Sequence, residues 1–421
     1  MRVCAIASTA SKSSGIGSAI LDFFSITLQI QTVLRFFVVQ VRRQMLIQKD
    51  FHPDFLGEMC RRLNLTPYPR TRQFVVQHLF PDTVRLLKLL HQYIPVESVV
   101  GISYSGNAES VEELRSLGIR VLTPEYSQLA TTIAEELAVA IECCQERGDR
   151  LIIHEVGGFA IRALHEPYYI GKDTVIGALE ITKQGVWVAE HLEDLRIPQL
   201  NVAQTRLKQI EGRLVGEAVV AALDTILREL GYATVGREGL VCGYGWVGRW
   251  VAQSLKQRGM SLSIRDIDSV ALVAAAMDGF VPNRSDRLKR SPAIVVGASG
   301  SCSIDANIID QLPNRCFLVS GASKNHEIDL SYLESRSVKN DSIHQHVRRF
   351  TMDDGRHLLL VNDGYPVNFT GASVPDEIVE LLLAELIMLI PKLIDDTPPP
   401  GIYTLPPAAE SLPADIWLSL R

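Results

Sequence analysis

Residues 239–248, Gly-Leu-Val-Cys-Gly-Tyr-Gly-Trp-Val-Gly, run a short apolar segment into Gly243-x-Gly245-x-x-Gly248. That spacing suits a pyrophosphate. The first glycine permits a tight turn, the second lets backbone approach the phosphates, and the third lets the next helix pack on the strand, its N-terminus toward the negative charge. Trp246 and Val247 lie inside the turn and count with the three glycines as candidate cofactor contacts. An amphipathic segment follows at 247–257, and the next apolar segment, 261–265, ends at Asp266, 18 residues beyond Gly248. A carboxylate there accepts from a ribose 2′-hydroxyl and repels a 2′-phosphate, so the pattern points to NAD rather than NADP. The alternative for the same residues is a glycine-rich turn in a Rossmann unit that no longer binds a nucleotide.

Residues 241–249, then Arg265-Asp-Ile-Asp268 and 274–280, resemble the cofactor domain of the S-adenosyl-L-homocysteine hydrolase family. The likeness extends from about His78 to Leu405 through Ile197-Pro-Gln-Leu-Asn-Val202, Gly177-Ala-Leu-Glu-Ile-Thr-Lys183, Glu327-Ile-Asp329 and Pro366-Val-Asn-Phe369. It implies bound NAD and a reaction in which a ribose 3′-hydroxyl is transiently oxidised, so that C4′ loses a proton and the thiol leaves from C5′. By resemblance, His78 falls at an acid/base histidine and Lys208 at the lysine that assists 3′-oxidation. Thr182 falls at a cofactor-contacting threonine, and Asn368 at an asparagine near the nicotinamide amide. Without the resemblance His78 reads as a cap or surface group, and Lys208 as a solvated lysine beside an apolar stripe.

The departures from the family are as informative. Val156 replaces an acid/base aspartate and Ile181 a glutamate that grips the ribose diol. Gly212 stands where an aspartate would share the face of Lys208. Arg213, Glu217, Ser323 and Val374 also replace site residues of the family. A valine relays no proton, and isoleucine forms no hydrogen bond with a diol. Glu155 or His154, at the carboxyl end of a strand, could supply the missing acid/base group, and Glu180 could serve the ribose. Glu155 is therefore taken as a third catalytic candidate beside His78 and Lys208.

These residues need an α/β frame. Apolar periodicity predicts a helical stretch over 74–93, divided at Pro81, then strand 98–103, helix 110–117, strand 120–123, helix 128–146 and strand 150–154. A long helix spans 203–230, interrupted by Gly212 and Gly216, where close packing or a bend would explain the glycines. The fold expected is α/β: two Rossmann-like domains, each a mostly parallel sheet with helices on both faces, joined by long helices. The resemblance places a substrate-type domain at 45–202 plus 370–421 and an NAD-binding domain at 203–369, with 203–230 as hinge. Residues 1–44, polar and then apolar but broken by Asp22 and Arg35, match neither a signal peptide nor a clean membrane span and have no counterpart in that fold. Past Leu405 the chain stops at Arg421, short of the family's tail over a neighbouring subunit's NAD. A more open cofactor site is expected, and a homo-oligomer is left open.

Composition narrows the partners. Lys+Arg 42 against Asp+Glu 48 gives a net charge of −6, which speaks against a nucleic-acid binder. Seven cysteines without CxxC spacing suggest no metal and read as reduced thiols of a cytoplasmic protein. Cys143-Cys144 reads as packing, and His344 and His346 as members of a polar loop. The partner expected is a small nucleoside-type molecule, with no membrane. Three functions follow: an NAD-dependent enzyme with an altered nucleoside or thioether ligand, a non-catalytic NAD-binding sensor or partner protein, and a working adenosylhomocysteinase. A 2-hydroxyacid dehydrogenase would want an Arg, a Glu and a His late in the cofactor domain, and only His326 beside Glu327 hints at it.

Overall fold

The computed structural model describes residues 54–165, 172–322 and 324–421. The 1–44 segment and Ser323 lie outside the described residues. Six parallel strands come first: β1 (Thr71–Leu79), β2 (Val96–Gly106), β3 (Arg120–Leu122), β4 (Arg150–Glu155), β5 (Val175–Glu180) and β6 (Pro198–Asn201). The next eight form a second sheet: β7 (Glu238–Cys242), β8 (Ser261–Arg265), β9 (Val281–Pro282), β10 (Ile294–Gly297), β11 (Cys316–Ser320), β12 (Ser337–His344), β13 (Val347–Met352) and β14 (His357–Val361). The chain then returns through helix Asp376–Asp395 to β15 (Gly401–Thr404), which pairs parallel with β6. The first sheet runs β15-β6-β5-β4-β1-β2-β3, the second β12-β13-β14-β11-β10-β7-β8-β9. The α/β expectation of two mostly parallel sheets holds, with an antiparallel edge at β12–β14.

The stretch over 74–93 is not helical at its start. It is strand β1 as far as Leu79, and the helix is Pro81–Leu90 with Pro81 in its first turn. Phe74, Val75 and Val76 are each fully buried, because β1 lies inside a parallel sheet covered on both faces. A strand buried on both sides reads as a continuous apolar run, which helix spacing also matches. The polar-loop reading of His344 and His346 is likewise corrected. His344 ends β12 and pairs with Glu229 at 3.0 Å, and His346 sits in the hairpin turn to β13.

The long helix is Arg206–Glu229, capped by Thr205, whose hydroxyl accepts from the Lys208 N–H at 3.1 Å. Its glycines mark close packing against helix Trp246–Gln257. A Cβ on Gly212 would lie 3.1 Å from Trp246 Cβ, and one on Gly216 2.7 Å from Trp250 Cβ and 2.8 Å from the Val247 carbonyl. This crossing fixes the helix that bears Lys208 against the helix that follows the glycine turn. Cys144 is buried in the core of the first sheet, and the six cysteines among the described residues are free thiols. Among the described residues, no helix is long and apolar enough to cross a membrane.

Candidate active site

Functional side chains gather at the carboxyl ends of both sheets, where open α/β sheets place their ligands. Beyond β7 the chain turns at Gly243, whose φ of +100° suits glycine and whose missing Cβ would meet the Ala298 carbonyl at 2.5 Å. Gly245 caps helix Trp246–Gln257, and nothing lies within 4 Å of where its Cβ would be. Gly248 packs with Gly243, since a Cβ there would meet its carbonyl at 2.0 Å. Backbone therefore faces an open cleft at a helix N-terminus, the arrangement that receives phosphate. Asp266, at the end of β8, accepts from the Tyr244 N–H at 2.6 Å and the Asp268 N–H at 2.8 Å, which aims its carboxylate along the cleft.

The cleft is a cavity of about 1110 Å³, lined by Gly243, Gly245, Trp246, Asp266 and Ser299 on one side and by Trp187 from the first half. That is at the large end for ligand sites and has room for a dinucleotide. Val247 and Gly248 do not line it; Val247 packs into the core instead. The lining loop at 298–303 is held by Glu327. Its buried carboxylate accepts from the Ser299 and Gly300 N–H groups at 2.7 and 2.5 Å and from the Ser299 and Ser303 hydroxyls at 2.9 and 2.5 Å.

A second cavity of about 370 Å³ lies between the halves. It brings together His78, Thr182, Lys208 and Asn368 with Asp82 and Glu211, among apolar groups that include Val156, Ile181, Val374 and Phe369. His78 sits at the end of β1, its Nδ1 engaged by the Ser105 hydroxyl. Burial, aided by the charge of Lys208, pushes its pKa down to about 4, so the imidazole is neutral at pH 7. Lys208 pairs with Glu211 at 3.0 Å. Burial and the neighbouring Asp376 push Asp82 up to about 6. Asn368 donates to the Ser373 hydroxyl at 2.9 Å, which leaves its amide oxygen as an acceptor. Rings from both halves meet in the lining: Phe369 lies 5.2 Å from His78 and 5.8 Å from Phe80.

Other candidates have structural work. Thr182 lines the cavity, but its hydroxyl donates to Glu180 at 2.7 Å and accepts from the Gly157 and Gly185 N–H groups. Glu155 lies outside the lining: its fully buried carboxyl accepts from Ala160 and Ile161 at 2.7 and 3.0 Å, at the start of helix Phe159–Leu164. Glu180, also fully buried, accepts from the Gly157, Gly158 and Thr182 N–H groups. Burial raises both carboxyls. His154 is buried against Gln77, 3.3 Å away, and held neutral by burial, its pKa down at about 4. Sequence reasoning missed Glu211 and Asp82 as cavity residues, and Lys324. The Lys324 amine reaches the Gly157 carbonyl at 3.2 Å and lies 4.1 Å over Phe159, from a backbone at φ +67°. Among the described residues, no group of three or more His, Cys, Asp or Glu could hold a metal.

Residues 218–374 match the family described as S-adenosyl-L-homocysteine hydrolase, NAD binding domain. S-inosyl-L-homocysteine hydrolase of Methanothermobacter thermautotrophicus is 26% identical over 241 residues, 56% of this chain and 58% of that one. Adenosylhomocysteinase of Aeropyrum pernix is 27% identical over 235 residues, covering 55% and 56%. That of Thermotoga maritima is 27% identical over 302 residues, covering 70% and 73%. The chain thus spans somewhat more than half the length of the first two. Among solved structures, dipicolinate synthase A chain from Bacillus subtilis is similar at 14% identity and a TM-score of 0.41, over 78% of this chain and 98% of that one. The glycine turn, Asp266 and the Glu327-braced loop all fall within the matched stretch, so residues 218–374 carry an NAD-binding domain similar to that of the S-adenosyl-L-homocysteine hydrolase family.

Proposed function

We propose that the chain binds a nucleoside-type ligand in the smaller cavity and acts on a hydroxyl of its ribose, with NAD held in the larger one. The observation that carries this reading is the meeting of His78, Lys208 and Asn368, from both halves of the fold, in one cavity. Gly243, Gly245, Trp246 and Asp266 would hold the cofactor, and NAD when bound supplies a hydride acceptor. The chain's own residues do the rest. The neutral imidazole of His78 has Nδ1 occupied by Ser105, so Nε2 is the atom that takes or gives a proton. The ammonium of Lys208 is a hydrogen-bond donor to a ligand hydroxyl and stabilises oxygen as it loses its proton. The Asn368 amide oxygen accepts from the ligand or the cofactor amide, and the aromatic wall with the aliphatic lining keeps water out.

A second reading, binding without turnover, is favoured by Val156, Ile181 and Val374, which give the cavity aliphatic walls in place of polar groups. One experiment separates the two. The full chain is purified, its NAD content measured, and adenosine added while nicotinamide absorbance is followed. Reduction of bound NAD supports the enzymatic reading. NAD retained with adenosine bound but not oxidised leaves only the second reading, and a protein that binds no nucleoside refutes both.

A further inference from the structure

Lys208 and Glu211 stand on the first turns of helix Arg206–Glu229, one helical step of three apart, and both line the smaller cavity. That spacing puts them on one face. Their side chains are only 18% and 13% exposed, whereas the pair Arg213–Glu217 further along is 54% and 39% exposed and belongs to the surface. The position four residues after Lys208 supplies no counterion: it is Gly212, packed against Trp246, where an added Cβ would be 3.1 Å from that side chain's own Cβ and would press on the helix crossing. The helix crossing therefore leaves Glu211 as the acid that shares the face of Lys208.

Another acid that feels the charge of Lys208 is Glu385 on helix Asp376–Asp395. It holds the Thr205 hydroxyl at 2.9 Å, and burial pushes its pKa up to about 8, so it carries little charge at pH 7. Across the cavity, His78 is neutral and cannot balance the ammonium. Val156, Ile181 and Val215 line the same cavity and accept no hydrogen bond; of the acids there, Asp376 is paired with Arg85 at 2.9 Å and Asp82 accepts from the Thr83 N–H, whereas Glu211 is the one that meets Lys208.

We infer that Glu211 is a positioning residue: its carboxylate fixes the Lys208 ammonium in the cavity, pointed at the ligand hydroxyl that the proposed function assigns to it. This rests on that reading for the reaction, but the placement of the amine is a property of the two side chains alone. Glu211→Gln and Glu211→Asp are made in the full chain. Three quantities are compared with the parent protein: adenosine affinity by calorimetry, the first-turnover rate of NAD reduction, and labelling of Lys208 by an amine-reactive reagent read by mass spectrometry. The Gln variant is expected to lose about 100-fold in first-turnover rate, the scale of a small misplacement of a reacting group, with adenosine affinity changed less than about threefold. Glu211→Asp is expected to recover a large part of the rate, and labelling of Lys208 to rise severalfold in the Gln variant at unchanged thermal stability. Unchanged labelling and rate in the Gln variant overturn the inference, as does a loss shared equally by Gln and Asp together with lowered stability. If the parent protein itself does not oxidise adenosine, the proposed function fails separately, and the labelling comparison alone decides the role of Glu211.

Discussion

Replacing Lys324 by methionine is expected to stabilise the fold. The amine is buried, and desolvation together with the charge of Arg162 holds its pKa near 8 against an ordinary 10.5, although Glu180 and Glu155 act in the opposite sense. Each pH unit of such a gap is about 1.4 kcal/mol, so the folded state gives up about 3 kcal/mol at pH 7 to keep this lysine charged. Methionine fills the space over Phe159 without charge but strands the Gly157 carbonyl, at roughly 1 kcal/mol. The net gain expected is about 2 kcal/mol. The sign with pH follows from the depressed folded value. Between about pH 8 and 10.5 the unfolded chain binds more protons at this site, so the parent protein gains stability as pH rises through that window. At about pH 9.5 the charge penalty falls to roughly 1.4 kcal/mol and the advantage of the variant nearly disappears. Urea titrations of both proteins at about pH 7 and 9.5, followed by circular dichroism, measure this. A Lys324→Met protein less stable than its parent at pH 7, or an advantage that does not shrink at the higher pH, refutes the reasoning.

Gly216→Ala is expected to destabilise by about 1–2 kcal/mol although alanine favours helix by about 1 kcal/mol, because the new methyl meets the backbone of helix Trp246–Gln257; a raised melting temperature would count against the packing described. Glu327→Ala should cost about 3 kcal/mol by freeing two N–H groups and two hydroxyls, and should weaken NAD binding through the loosened loop at 298–303, read by thermal melts and calorimetry. Asp266→Ala should lower NAD affinity about tenfold while narrowing the preference over NADP, measured by titration with both nucleotides. A preference left intact would place the ribose elsewhere.

The cofactor turn was legible because its constraints are local. Gly243 needs a positive φ, Gly248 tolerates no Cβ, and Asp266 must end the next strand, so residue types and spacing carry the geometry. Strand β1 was not legible as a strand, since burial on both faces erases the alternation that separates strand from helix. Glu155 and Glu180 stood out as acids at strand ends, but only the fold reveals that buried N–H groups occupy their oxygens. Glu211 was hidden for the opposite reason: which of two helical positions can face Lys208 depends on a second helix crossing at Gly212. Lys324 sits in a polar loop and reads as solvated until the loop folds onto the Gly157 carbonyl.

The pairing of β15 with β6 sets a timetable for synthesis. About 200 residues separate Asn201 from Gly401, and closing a flexible loop of that length costs on the order of 5 kcal/mol of chain entropy. The intervening second sheet can remove most of that cost by folding first, which brings the two ends together where Thr205 meets Glu385. Until Gly401–Thr404 has left the ribosome, β6 presents an unpaired edge. At roughly 5–20 residues per second this lasts about 10–40 s per chain, an interval in which the edge is open to other chains and to chaperones.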